Sequence, residues 1–255
     1  MEKTVIVYYT GTGNTLDLAK RFHGVKLLDI IKINEGTEVL DEDIERLGIF
    51  FPVYMGGVPY PVREFIHKTL GERDNSGLKY VFSLLTCGSS GKSAEWIMDR
   101  LLQEIGIGIS YTQSFRYPDS YLPLIKNIPD EAKTKEILDK AEDKIKKAIL
   151  DIENEEIKLP GKPLFGKLMA KISSKTGPDK KDKNMSVDDS CILCGLCQSI
   201  CPSNNITMGE KKATLGDSCL HCYACYNNCP KEAIKYTGRS GHYKSLVKVE
   251  ELKRR

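Results

Sequence analysis

Cys191, Cys194, Cys197 and Cys201, followed by Pro202, stand in the pattern C-x2-C-x2-C-x3-C-P, and Cys219, Cys222, Cys225 and Cys229, followed by Pro230, repeat it. Thiolates are soft ligands, and this spacing holds a [4Fe–4S] cluster. Three cysteines on one tight loop ligate three irons of a cube, while the fourth lies beyond its own cube and serves the other. The spacing therefore predicts one cluster on Cys191, Cys194, Cys197 and Cys229 and a second on Cys219, Cys222, Cys225 and Cys201. Zinc sites use separated CxxC pairs, without a third cysteine two residues on. His221 is surplus as a ligand and reads as a loop residue or a donor near sulfur.

The two motifs belong to a longer repeat of period 28. Val187-Asp188-Asp189-Ser190-Cys191 matches Leu215-Gly216-Asp217-Ser218-Cys219, and Cys201-Pro202-Ser203-Asn204-Asn205-Ile206 matches Cys229-Pro230-Lys231-Glu232-Ala233-Ile234. Two copies of so small a unit pack about a pseudo-twofold axis, because neither buries a core alone. Residues 186–236 resemble the bacterial two-[4Fe–4S] ferredoxins.

A second candidate site lies near the N-terminus. Thr10-Gly11-Thr12-Gly13-Asn14-Thr15 follows a β-rich run and opens a helical one. Glycines permit close backbone approach, and hydroxyls, an amide and backbone N–H groups supply donors for an anion. No lysine or arginine lies in the loop, so the donors are neutral. Leu16 stands where a dinucleotide fingerprint needs its third glycine, and no Gly-Lys-Ser/Thr follows as in a phosphate loop of the Walker type. The run Val7–Thr15 resembles the FMN phosphate loop of flavodoxins. The resemblance covers residues 1–150 and implies that Thr10, Thr12, Asn14 and Thr15 hold the phosphate with the backbone amides of the loop. It also implies a ring site at two further loops. One is Pro52-Val53-Tyr54-Met55-Gly56-Gly57, where a glycine peptide turns toward flavin N5 and Tyr54 or Met55 lies against the ring. The other is Thr86-Cys87-Gly88-Ser89-Ser90-Gly91, with Tyr117 and Tyr121 as an added aromatic wall. Cys87 reads as a small packing residue, and Gly91-Lys92-Ser93 lacks the first glycine of a Walker loop, Thr86 standing there.

These loops need a scaffold that alternates strands and helices. Val5–Tyr9, Val25–Ile33, Leu47–Val53, Tyr80–Leu85 and Gly106–Phe115 read as strands. Asn14–Arg21, Pro61–Leu70 and Ser93–Ile105 read as helices. A last helix starts at Pro129-Asp130 and carries Ile137, Leu138, Ala141, Ile145, Ala148, Ile149 and Ile152 on one face. The expected fold is α/β: a doubly wound parallel sheet, for which the flavodoxin resemblance implies five strands in the order 2-1-3-4-5, plus a small α+β ferredoxin domain. The expected boundaries are 1–156 for the flavin-binding domain, 157–185 for a basic linker and 186–255 for the cluster domain. The linker holds eight lysines between 158 and 183, and within it Leu164, Phe165, Leu168, Met169 and Ile172 form a short amphipathic element. The stretch from Tyr236 to Arg255 reads as a solvated tail.

The chain has 255 residues, 40% hydrophobic and 29% charged, with net charge +3. That composition excludes a disordered tail, a collagen and a coiled coil. No apolar run approaches the ~18 residues of a membrane span, and the first residues do not have the pattern of a signal peptide, so the expected location is the cytoplasm. Residues 1–156 hold 20 Lys and Arg against 26 Asp and Glu, a net −6, and residues 157–255 hold 18 against 9, a net +9. Clusters with four thiolates carry about −2 each, which offsets the basic half and argues against a nucleic-acid partner. The two resemblances together suggest the flavodoxin–ferredoxin fusion proteins of anaerobic microbes. They imply an electron carrier that moves low-potential electrons between two [4Fe–4S] clusters and FMN and on to a redox partner protein, such as a ferredoxin-linked oxidoreductase. The alternative is an FMN-dependent oxidoreductase that reduces a quinone, a flavin or an unsaturated substrate with electrons from the clusters. No group of histidines and carboxylates marks a catalytic acid or base for it.

Overall fold

The computed structural model describes residues 3–254 apart from 126, 165, 176 and 179–181. The apolar run Thr4–Tyr8 forms β1, followed by β2 (Lys26–Asp29), β3 (Arg46–Pro52), β4 (Tyr80–Cys87) and β5 (Tyr111–Arg116). All four pairings are parallel and the order is β2-β1-β3-β4-β5. All eight residues of β4 are buried, as a parallel strand covered on both faces requires. Alternation divides the core into two layers. Val5, Val7, Ile49 and Phe51 join one, and Ile6, Phe50, Phe82 and Phe115 join the other.

Helices α2 (Ile30–Asn34), α3 (Tyr60–Glu64, continued as a π-helical turn over Phe65–Leu70) and α4 (Lys92–Glu104) cover the first layer. Helices α1 (Asn14–Ala19) and α5 (Glu131–Glu153) cover the second. Asp130 caps α5 by accepting from the Lys133 amide, as its position before the apolar face predicts. The expected strand Val25–Ile33 is instead a short strand and then a helix. Asp29 ends β2 and caps α2 by accepting from the Ile31 amide at 2.9 Å, so the apolar run turns from sheet to helix inside itself. The expected strand Gly106–Phe115 begins only at Tyr111.

The lysine-rich segment is not a free linker along its described length. It starts by pairing with β5, where Lys158 N donates to Ser110 O and Thr112 N to Lys158 O. It then forms α6 (Gly166–Ser174) against α4. Met169 and Ala170 pack on the core, and the buried Ser173 hydroxyl donates to Val58 O. The inward face thus differs from the expected one: Leu164, Leu168 and Ile172 point outward, while Phe165 lies outside the described residues.

The last third folds as the period-28 repeat predicts. Strands β6 (Met185–Val187) and β8 (Ala213–Leu215) are equivalent, as are helices α7 (Leu196–Ser199) and α8 (Ala224–Asn227) and strands β7 (Ile206–Met208) and β9 (Ile234–Tyr236). Each copy lends one strand to each antiparallel pair, β6 with β9 and β7 with β8. The left-handed backbone positions repeat too. Leu193, Gly195 and Asn204 in the first copy answer to His221, Tyr223 and Glu232 in the second.

The stretch after Tyr236 is not a solvated tail. Tyr243 is buried, and its hydroxyl donates to Asn14 Oδ1 at 2.7 Å. Ser245 and Val247 lie against Gly13, whose φ of +101° and close neighbours leave no room for a Cβ. Leu252 is buried with Leu16, Ile200 and Ala224. Arg254 is buried with Asp29 at 3.0 Å, and its guanidinium also donates to Thr10 O and Ile200 O. The C-terminal segment therefore straps the repeat to the first loop of the sheet. An apolar side chain every few residues anchors it, and Arg254 is desolvated only because a carboxylate and two carbonyls meet it.

Candidate functional site

The carboxyl ends of β1, β3, β4 and β5 converge where the strand order reverses between β1 and β3, the place at which open α/β sheets hold ligands. A cavity of about 50 Å³ opens there. Its wall includes Thr10, Gly11, Thr12, Asn14 and Thr15 from the first loop. Pro52, Val53 and Tyr54 follow β3, Thr86, Cys87 and Gly88 follow β4, and Tyr117 and Tyr121 follow β5. Gly13, Met55, Gly56, Gly57, Ser89 and Gly91 were expected beside them but do not reach the wall. Gly56 and Gly57 lie under Met169 and Ser173 of α6, and Gly91 packs on Ser114 and Val53. Ser89 is exposed.

The donors of the first loop are held in pairs. Thr12 Oγ1 and Ser120 Oγ are 2.8 Å apart, Thr15 Oγ1 and Thr86 Oγ1 2.9 Å, and Asn14 Nδ2 donates to Pro118 O. Thr10, Thr12 and Thr15 are buried. Among the described residues the wall carries hydroxyls, amides and one carboxylate, Asp119, but no lysine or arginine. Behind it Arg254 donates to Thr10 O, so a buried cation backs the loop. A phosphate bound by neutral donors fits this set. The ring end is narrower. Tyr121 donates to Met55 Sδ at 3.3 Å and meets Tyr223 edge-on at 5.6 Å. These contacts bound the cavity of about 50 Å³ at that end. Tyr117 lines the wall with its side chain packed in the core and its hydroxyl donating to Asp17. Burial pushes the Cys87 thiol up to about 11, which keeps it a neutral packing group.

Besides Pro118, Asp119 and Ser120, which lie between the two expected tyrosines, the wall has three members that no motif read for this site includes: His221, Cys222 and Tyr223. They come from the second cysteine loop, which docks on the first loop of the sheet. A Cβ on Gly11 would stand 2.7 Å from Tyr54 Oη and 3.0 Å from Cys222 Cβ, so glycine is what admits the close approach. Asp182 braces the loop. Its Oδ2 accepts from Tyr223 Oη at 3.0 Å and lies 3.2 Å from His221 Nδ1. No pattern marks Asp182; the signal was only that a histidine and a tyrosine flank Cys222.

The eight cysteines gather around two more cavities. Cys191, Cys194, Cys197 and Cys229 line one of about 20 Å³, and Cys201, Cys219, Cys222 and Cys225 line another of about 30 Å³. Each cavity takes three cysteines from one motif and the fourth from the other. Among the described residues no three His, Cys, Asp or Glu side chains converge on a single ion; a four-iron cube spreads its thiolates, whereas one zinc ion draws them to within about 2.3 Å. Backbone N–H groups face the sulfurs at matching positions of the repeat. Asn205 N donates to Cys201 Sγ at 3.3 Å and Ala233 N to Cys229 Sγ at 3.2 Å. Such donors suit thiolate ligands.

Burial and the neighbouring cysteines push the Cys222 thiol up to about 12 and the Cys197 thiol up to about 11; Cys219 and Cys225 are raised as well. In the metal-free sites these groups are thiols at neutral pH, so ligation must release protons. Loading at fixed iron and sulfide is therefore expected to rise from about pH 6.5 to 8.5. Absorbance near 400 nm measures it, and loading that is flat or falls with pH would contradict this protonation state.

Residues 190–233 match the 4Fe-4S dicluster domain family. No curated protein matches the chain. Among solved structures, a candidate flavoprotein from Bacteroides uniformis is similar at 18% identity over 45% of this chain and 90% of that one, with a TM-score of 0.36. The Trp repressor binding protein from Bacillus subtilis is similar at 16% identity over 59% of this chain and 96% of that one, TM-score 0.37. Rubredoxin oxygen:oxidoreductase from the anaerobe Desulfovibrio gigas is similar at 16% over 61% of this chain and 37% of that one, TM-score 0.37. At these scores the flavodoxin-like assignment rests on the strand order and the parallel pairing themselves.

Proposed function

We propose that this chain, a flavodoxin-like α/β domain joined to a ferredoxin-type iron–sulfur domain, is an electron carrier that exchanges low-potential electrons between two [4Fe–4S] clusters and FMN and passes them to a partner protein. One observation carries the reading: Cys222 belongs both to the wall of the sheet-end cavity and to the wall of a four-cysteine cavity. A centre on the second motif and a flavin at the sheet would be neighbours, which makes exchange intramolecular.

In this reading Cys191, Cys194, Cys197 and Cys229 hold one cluster, and Cys219, Cys222, Cys225 and Cys201 the other. Thr10, Thr12, Asn14, Thr15 and the loop amides take the phosphate of FMN. Pro52–Tyr54, Thr86–Gly88 and Tyr121 bound the ring. When bound, the flavin supplies a centre that holds one or two electrons, where each cluster passes one. Residues 1–156 form the flavin domain, 186–255 the cluster domain, and 157–185 join them. The chain's own task is to hold the two centres close, which the approach of Cys222 to Gly11 and the C-terminal strap serve. At the sheet-end cavity the histidine–carboxylate contact is His221 with Asp182, which braces the cysteine loop, and this favours the carrier over a small-molecule reductase. Among the described residues no helix is long and apolar enough to cross a membrane.

The protein purified without oxygen is expected to contain about eight irons, eight acid-labile sulfides and one FMN per chain. Full iron with no flavin, even after FMN is added, would remove the flavin half of the reading. Zinc in place of iron would remove the other half.

A further inference from the structure

The two copies of the cysteine repeat are equivalent in backbone but not in surroundings. In the second copy Leu220 and His221 are half-buried where the loop faces the sheet domain, and Cys222 abuts Gly11. Their equivalents in the first copy, 28 residues earlier, are Ile192, Leu193 and Cys194. Ile192 is 56% and Leu193 37% exposed. Cys194 is the single exposed member of the eight motif cysteines. The cavity of the first copy shares no wall residue with the sheet-end cavity. The two carboxylates beside the open loop are each paired with a lysine, Asp188 with Lys235 at 3.3 Å and Asp189 with Lys212 at 2.9 Å, while Lys231 on the wall of that cavity is exposed.

We infer that the first-copy loop is the port at which an external iron–sulfur protein exchanges electrons, and that the second-copy centre is the inner relay to the sheet-end site. The inference rests on the proposed function and adds an order to it. A reduced one-electron iron–sulfur protein is oxidised as the first-copy cluster gains that electron. The first-copy cluster is reoxidised as the second-copy cluster gains it. No bond is broken and no proton moves in either step. Because both rim carboxylates are already paired, the port offers Ile192 and Leu193 as its apolar contacts, and its partner is an iron–sulfur protein with an apolar rim around its own centre.

Two measurements on the full chain, loaded with iron, sulfide and FMN, test the order. The first reads exposure without turnover. As a chelator strips iron slowly from the loaded protein, freed thiols are alkylated and located by mass spectrometry. Cys191, Cys194, Cys197 and Cys229 are expected to react before Cys201, Cys219, Cys222 and Cys225. The second compares the same change at equivalent positions, Ile192→Gln and Leu220→Gln. Each variant's iron and sulfide content is checked, and rates are normalised to reduction by dithionite. With a reduced bacterial [4Fe–4S] ferredoxin as donor, Ile192→Gln is expected to lower the second-order rate about tenfold, the loss of one apolar anchor, and Leu220→Gln to leave it within about twofold. The wild-type rate is expected to change little between low and high salt. Reaction of the second group of cysteines first, or a larger loss in Leu220→Gln than in Ile192→Gln, would overturn the order. If the chain binds no flavin yet both results hold, the port stands and the flavin reading falls.

Discussion

Cys201→Ala is expected to empty the centre of the second motif although Cys201 lies in the first. Iron is expected to fall from about eight to about four per chain, the content of one cluster. The double variant Cys201→Ala, Cys219→Ala is then expected to lose no more iron than Cys201→Ala alone, since both residues line one cavity. The double variant Cys201→Ala, Cys191→Ala is expected to lose nearly all iron, since Cys191 lines the other. If each motif instead held its own cluster, these two outcomes would be exchanged. Iron and sulfide content, with the electron paramagnetic resonance of the reduced protein, decides between the pairings. The physical ground is reach: the loops that carry three cysteines close on themselves, and the proline after each fourth cysteine turns the chain across to the other copy.

Arg254→Ala is expected to be the most destabilising single change outside the clusters. The guanidinium is almost wholly buried, its side chain 1% and that of Asp29 8% exposed. Removing it leaves the Asp29 carboxylate without its cation and Thr10 O and Ile200 O without a donor. Breaking a buried pair from one side costs about 3–5 kcal/mol. The same change unpins the strap, so amide exchange over residues 243–254 is expected to speed up with it. Replacing both partners, Asp29→Asn with Arg254→Met, is expected to recover part of the loss, because no unpaired charge then remains. Urea unfolding followed by fluorescence measures the first effect and hydrogen exchange the second. A change of less than about 1 kcal/mol, typical of a surface pair, would show that the pair is solvated and that the strap is held by its other contacts, Tyr243, Val247 and Leu252 among them.

Much of this protein was determined by its sequence read locally. The doubled cysteine motif and the period of 28 specified the whole repeat, since each strand, short helix and left-handed turn recurs at that interval. The run Val7–Thr15 announced a strand, a glycine turn and a helix, because strand pattern and turn chemistry act over a few residues. The same local reading stopped short at Val25–Ile33, where both strand and helix suit an apolar run and one aspartate decides the switch. It was only partly right for α6: of the expected apolar residues Met169 packs on the sheet domain, together with Ala170, Ser173 and Gly166, while Leu168 and Ile172 are exposed. What tertiary structure alone decided are the contacts between distant segments. Arg254 meets Asp29 across 225 positions, Tyr243 meets Asn14 across 229, and Cys222 comes to rest on Gly11. Periodicity and spacing carry no information at such separations, because those contacts follow from how two finished surfaces fit. That fit turned two equivalent cysteine loops into one covered and one open.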